Sequence, residues 1–254
     1  MKVLIVLVAT FSFPSILFGL VDFNGNGVSD IWELQYGATV VEDFDSDNDG
    51  ISNQAEGIAG TDPHDPTSLL ALEHPDLGEA EVRFSWSAEA GKSYRIERWD
   101  PTVNGWSEAA LILPLSAAAV QSVTLDRLDG GVFRLVSSDI DMDGDGLSAW
   151  EEVLMGTSDE SAAGVDGSGE GDFVNALRAL ESEGGVILSN GTQLDRRLPS
   201  KEEAARFLLR ASFGPTDESI EEVMSMGLSG WIDNQETIPT TRLQTSIARN
   251  ALPI

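Results

Sequence analysis

The chain has 254 residues, room for several small domains, and sets 43 acidic residues against 15 basic ones for a formal net charge of -28. No lysine or arginine stands between Lys2 and Arg83 and the sequence shows no basic face to neutralise phosphates, so nucleic acid is not expected as a partner. There is no cysteine, which excludes disulfides, thiol catalysis and a lipid-modified cysteine behind the leader.

Met1-Lys2 followed by the apolar run Val3 to Leu20 has the layout of a secretory signal peptide, expected at residues 1–19 with cleavage near Gly19. The run is barely long enough to span a bilayer, and Pro14 interrupts it. The expectation is a secreted or cell-envelope protein with no membrane span after cleavage.

Three stretches then share one plan. Asp45, Asp47, Asp49, Gly50 and Glu56 occupy positions 1, 3, 5, 6 and 12 of a loop, the oxygen-ligand spacing of a calcium site. Asp22, Asn24, Asn26, Gly27 and Glu33 form an earlier copy, and Asp141, Asp143, Asp145, Gly146 and Glu152 a later one. Alternate carboxylates converge on one cation only if the backbone turns sharply, and glycine at position 6 permits that turn. In the first copy Asn24 and Asn26 remove two charges from the cage, which weakens the case for a bound ion there. Each copy continues with an aliphatic residue (Val28, Ile51, Leu147), a serine (Ser29, Ser52, Ser148) and, four residues past the glutamate, a glycine (Gly37, Gly60, Gly156). Serine before and glycine after a short run are helix start and stop signals, so each copy predicts a loop followed by about two helical turns. In the third, Glu151 completes a capping box with Ser148. A degenerate fourth loop begins at Asp166, with Ser168, Glu170 and Gly171, but has Leu177 at position 12.

An EF-hand needs a helix entering the loop, and none is evident before Asp45 or Asp141. The copies instead resemble the thrombospondin type 3-like repeats of secreted bacterial proteins, down to Gly60-Thr61-Asp62-Pro63 after the second. The resemblance implies structural Ca2+ and stiff spacer repeats. Dockerins, which use related loops to bind a partner protein, are the rival, although the third loop lies too far downstream for their paired layout.

Residues 80–138 change character. Glu81 to Trp86 and Ser93 to Glu97 alternate polar and apolar residues around a turn at Ala90-Gly91-Lys92. Asn104-Gly105 and Asp129-Gly130-Gly131 predict further turns, with Val123–Leu125 and Val132–Leu135 as later strands. The spacing of Trp86, Gly91-Lys92-Ser93-Tyr94, Trp106 and Phe133-Arg134-Leu135 resembles small fibronectin-like β-sandwiches. Trp99 and Trp106 are candidates for gripping a sugar, with core packing as the alternative.

Past the third loop, Asp172 to Glu183 predicts a helix and Gly184 to Arg197 a linker. Ser200-Lys201-Glu202-Glu203 is a capping box opening a helix with Ala204, Ala205, Phe207, Leu208 and Ala211. Thr216 caps a second helix ended by Gly227, and Ser229 precedes a third carrying Trp231 and Ile232. The run from Ala204 through Arg210-Ala211-Ser212-Phe213-Gly214-Pro215 to Gly230-Trp231-Ile232-Asp233-Asn234-Gln235 resembles the opening of the domain-of-unknown-function 1800 family over residues 199–240. That resemblance implies an exported, mostly helical domain longer than the remaining chain. His64 and His74, both in the acidic segment, offer no general-base setting, and no catalytic constellation is visible.

The expected organisation is multidomain: a signal peptide at 1–19, two calcium repeats at 20–68, a small all-β sandwich at 80–138, a third repeat at 139–160, a linker with a helix at 161–198, and the start of a helical domain at 199–254. The metal ligands expected are Asp22, Asn24, Asn26, Glu33, Asp45, Asp47, Asp49, Glu56, Asp141, Asp143, Asp145 and Glu152. The function expected is a secreted calcium-binding spacer ahead of the helical domain. The alternatives are the N-terminal region of an exported enzyme acting on envelope or extracellular polymers, or a dockerin-like adhesion module, with a cell-envelope or extracellular protein or polysaccharide as partner.

Overall fold

The computed structural model describes residues 4–5, 20–37, 44–73, 75–126, 131–158, 160, 171–212 and 214–237. All of the expected leader except Leu4 and Ile5, the segment before the second loop, His74 and the start of the degenerate fourth loop fall outside them. The architecture combines short helices with small, mainly antiparallel sheets. The chain divides into two compact bodies, Met1–Asn175 with Ile187–Leu194, and Ala176–Val186 with Asp195–Ile254.

In the first body, three seven-residue helices stand where the serine and glycine signals place them: α1 (Asp30–Tyr36), α2 (Asn53–Ala59) and α3 (Ala149–Met155). Ser29, Ser52 and Ser148 cap their starts with side-chain oxygens, and Ser148 with Glu151 forms the full capping box. Gly37, Gly60 and Gly156 end them at φ between 58° and 82°, where a side chain would be strained.

The strands are β1 (Leu4–Ile5), β2 (Asp76–Leu77), β3 (Glu81–Ala88), β4 (Ser93–Asp100), β5 (Gly105–Ile112), β6 (Ala119–Asp126) and β7 (Val132–Ser138). They form two sheets, ordered β1-β7-β4-β5 and β2-β3-β6. β3 pairs with β6 from Glu81↔Asp126 to Ala88↔Ala119, and β4 pairs with β7 from Ser93↔Ser138 to Arg98↔Phe133. Alternation on β3 turns Val82, Phe84, Trp86 and Ala88 to one side, where they share a buried cluster with Tyr94, Ile96, Phe133 and Leu135 of the other sheet. Like the two-residue β2, β5 is a strand that the sequence pattern did not announce: its alternation is weak and much of its surface is exposed.

The three loop–helix repeats do not follow one another as separate beads. The indole N–H of Trp32 in the first donates to the Thr61 carbonyl behind the second (2.9 Å), and Gly57 lies so close to Val28 and Trp32 that a Cβ there would overlap Val28. The third repeat, far downstream, packs on the first: the Glu151 carboxylate accepts from the Val21 N–H at 2.9 Å and from the Ser29 hydroxyl at 2.5 Å. The strand region is thus inserted between repeats that touch. Its turn carries Lys92, 1% exposed, which pairs with Asp139 at 2.8 Å and lies over the ring of Trp150. Gly91 meets the backbone of Ala149 and Trp150 too closely for any side chain, and its φ of +77° independently favours glycine.

In the second body, α5 (Lys201–Ala211) and α6 (Asp217–Glu236) follow the expected caps Ser200 and Thr216. Phe207 and Trp231 meet edge to face, with ring centroids 5.3 Å apart. α6 is broken at Gly227 (φ 84°, ψ 173°), where the sequence expects one helix to stop and another to start. Ser229 stands at that restart, and a carboxylate from another helix supplies the acceptor for it. Glu181, at the end of α4 (Asp172–Glu181), accepts from the N–H groups of Leu228 and Ser229 and from the Ser229 hydroxyl. Any side chain at Gly227 would collide with that carboxylate. A short pair, β8 (Val186–Ile187) and β9 (Gln193–Leu194), occupies part of the expected linker, with Ile187 and β9 belonging to the first body.

Candidate metal centre

The three loops share a hydrogen-bond scaffold set by residue type and spacing. The aspartate at position 1 accepts with one oxygen from the N–H of position 4 and with the other from that of position 6. These are Asp22 to Gly25 and Gly27 (2.6 and 2.9 Å), Asp45 to Asn48 and Gly50 (2.8 and 2.9 Å), and Asp141 to Gly144 and Gly146 (2.6 and 3.0 Å). Positions 4 and 6 are left-handed throughout, with Asn48 the one non-glycine among them. Asparagine tolerates that region better than most residues.

Position 3 accepts through Oδ1 from the N–H of position 5, and position 5 likewise from position 7, in every loop. Each loop is then shut by the N–H of position 9 donating to the carbonyl before position 1: Asp30 to Val21 (2.6 Å), Asn53 to Phe44 (2.7 Å) and Ala149 to Ile140 (2.7 Å). In the first two loops the position-9 side chain also accepts from position 2, Asp30 from Phe23 and Asn53 from Ser46.

This scaffold uses one oxygen of each position-3 and position-5 aspartate and turns the other inward. In the second loop Oδ2 of Asp47 and of Asp49 and both carboxylate oxygens of Glu56 are buried with no hydrogen-bond partner. Glu56 is 1% exposed. Burial, reinforced by the charges of Asp47, Asp49 and Asp45, pushes its pKa from 4.5 to about 8. Asp45, Asp47 and Asp49 each bring a carboxylate oxygen within 4.8 Å of the others, so the group can hold a metal ion. Buried, negatively charged oxygens without donors are costly unless a cation satisfies them. A donor set made only of oxygen suits a hard divalent cation such as Ca2+. The residues present fit the metal.

In the third loop Asp141, Asp143 and Asp145 converge in the same way. A residue outside the twelve joins them. Asp145, Glu152 and Asp172 also bring carboxylate oxygens within 4.8 Å of one another, and the Asp172 N–H donates to Asp145 at 2.7 Å. Asp172 is 1% exposed at the start of α4. Sequence reasoning placed it in a helix and gave it no role, because its distance from the loop hid the contact.

The first loop repeats the scaffold with different chemistry inside. The amide nitrogens of Asn24 and Asn26 donate to the two oxygens of Glu33, at 2.7 and 3.0 Å, and Glu33 is only half-buried.

Glu151, next to the third loop's closing glutamate, is also buried. Desolvation raises its pKa to about 7 against the lowering effect of hydrogen bonds from Ser29, Ser148 and Val21. On the strands, Trp99 and Trp106 meet edge to face with centroids 5.4 Å apart, and the Arg134 guanidinium lies over Trp106 while pairing with Glu97. The Trp106 ring is thus engaged within the sheet. The exposed His64 places its ring nitrogen 2.9 Å from the Tyr36 carbonyl.

Residues 45–66 match the family model described as a bacterial TSP3 repeat. The matched stretch covers the whole second loop, α2 and the Gly60-Thr61-Asp62-Pro63 turn, and it does not extend to residues 199–240. No match was found among curated proteins or among solved structures. Among the described residues no helix is long and apolar enough to cross a membrane.

Proposed function

We propose that this is an exported, modular calcium-binding protein in which Ca2+ ions in the second and third loops rigidify a body of packed repeats ahead of a helical domain. The observation that carries this reading is the set of buried, partnerless oxygens of Asp47, Asp49 and Glu56 on one loop. Ligands to the first of these ions are Asp45, Asp47, Asp49 and Glu56. Those to the second are Asp141, Asp143, Asp145 and Glu152, with Asp172 added. The role of the metal is structural: neutralising the carboxylates removes the repulsion that opposes closure of each loop.

Export is supported by the apolar leader pattern at residues 1–19. A fibronectin-like β-sandwich at 80–138 is supported by the single apolar cluster to which both sheets contribute. Because the third repeat packs on the first, the repeats act as a compact brace rather than an extended spacer. The motif order at 199–240 supports the opening of a longer helical domain.

The test is calorimetric titration of the intact chain with Ca2+ alone. Affinities of about 10⁻⁴ to 10⁻³ M are expected for extracellular sites of this kind. Glu56→Gln and Glu152→Gln should each remove one binding event, and an unchanged titration in both variants would overturn the reading.

A further inference from the structure

We propose that the first loop is closed by its own amides and takes no cation, so that it is a metal-independent clasp beside two metal-dependent ones. The inference rests on reading the second and third loops as calcium sites.

The amide orientation follows from the scaffold. Oδ1 of Asn24 accepts from the Asn26 N–H and Oδ1 of Asn26 from the Val28 N–H, both at 2.9 Å, matching the bonds made by Asp47 and Asp49. Each oxygen is thereby committed to the backbone, and what faces the interior is an NH2 group. The two NH2 groups take the two oxygens of Glu33, where a cation would otherwise sit. In the second loop the equivalent inward atoms are bare carboxylate oxygens, and both oxygens of the equivalent Glu56 lack a donor.

Admitting a cation would require both amides to flip. Their NH2 groups would then oppose the N–H groups of Asn26 and Val28, donor against donor, while two amide–carboxylate bonds were lost. The attraction would also be weaker, since of positions 1, 3, 5 and 12 only Asp22 and Glu33 carry charge, against four carboxylates at those positions in either of the other loops. The remaining carboxylate of the loop, Asp30 at position 9, is engaged by the Phe23 N–H and the Asn24 amide. The clasp matters because the first repeat supplies the Ser29 hydroxyl, the Val21 N–H and the Trp32 indole against which the other repeats pack. That platform is set at any calcium level.

The experiment uses the full chain, with Ca2+ as the only added ligand in calorimetry and with melts in calcium and in EDTA. The wild type is expected to bind two ions. Glu33→Gln should leave that count unchanged and lower the melting temperature equally in calcium and in EDTA, because Gln places an NH2 group against the asparagine amides. The double variant Asn24→Asp/Asn26→Asp should gain a third ion. Loss of one ion in Glu33→Gln, or a wild type that binds three, would overturn the clasp. If the double variant fails to fold, Glu33→Gln alone decides. If neither Glu56→Gln nor Glu152→Gln changes the ion count, the calcium reading fails separately. The EDTA melt of Glu33→Gln still decides the clasp, with no shift counting against it.

Discussion

The strand region and the repeat region of the first body differ in what they bury beside their apolar side chains. The strands enclose Phe84, Trp86, Tyr94 and Ile96, each no more than 1% exposed, and need only water to drive them together. The repeats enclose Val28, Ile31, Trp32 and Leu147 in the same way but bury carboxylates as well: Glu56, Glu151 and Glu152, with Asp172 beside the third loop, are each no more than 1% exposed. A core of the first kind is stable on its own terms, whereas a core of the second kind depends on what is supplied to its oxygens. Stability in this body should therefore divide into a part indifferent to calcium and a part that follows it.

The largest expected effect lies on the indifferent side. Trp86→Ala empties the centre of the apolar cluster and should cost about 3–5 kcal/mol, equally in calcium and in EDTA, measured by urea unfolding. A cost that changed with calcium would show the two regions to be one cooperative block. Next comes Glu56→Gln, which should abolish about 2.7 kcal/mol of calcium-dependent stabilisation when free calcium is a hundredfold above the dissociation constant. In EDTA it should leave the chain at least as stable as the wild type, because a neutral amide relieves the repulsion from Asp47, Asp49 and Asp45. Hydrogen exchange should place that loss in residues 44–60 and leave β3 and β4 protected.

The seam between the repeats is tested by Glu151→Gln. Its amide leaves fewer acceptors for the Val21, Ser29 and Ser148 donors, and a loss of about 1–3 kcal/mol is expected in either condition, read by thermal melting. The smallest effect should come from Ser52→Ala. Removing the cap of α2 costs about 1 kcal/mol, and a slightly weaker calcium isotherm should accompany it.

Local features of the repeats could be read from the sequence because they depend on neighbours. Ser29, Ser52 and Ser148 cap helices, Gly37, Gly60 and Gly156 end them, and Gly227 breaks α6, all from signals a few residues long. What escaped were contacts that chain order conceals. Asp172 reaches the third loop from outside it, Glu181 caps a helix turn 47 residues away, and Glu151 joins repeats separated by the whole strand region. The orientation of the Asn24 and Asn26 amides was also hidden. Composition says that two charges are missing, and only the scaffold says which atom of each amide faces Glu33.

The contact between Glu151 and Val21 spans 130 positions of sequence, and that span sets an order of events during synthesis. The first two repeats emerge early and can do no more than hold each other through Trp32 and Gly57. Their remaining partner arrives only after β2 to β7 have been made, so assembly of the brace waits on a long loop closure. A chain released short of Leu154 would carry an acidic, half-built surface, and the finished surface arises only when the last repeat returns to the first.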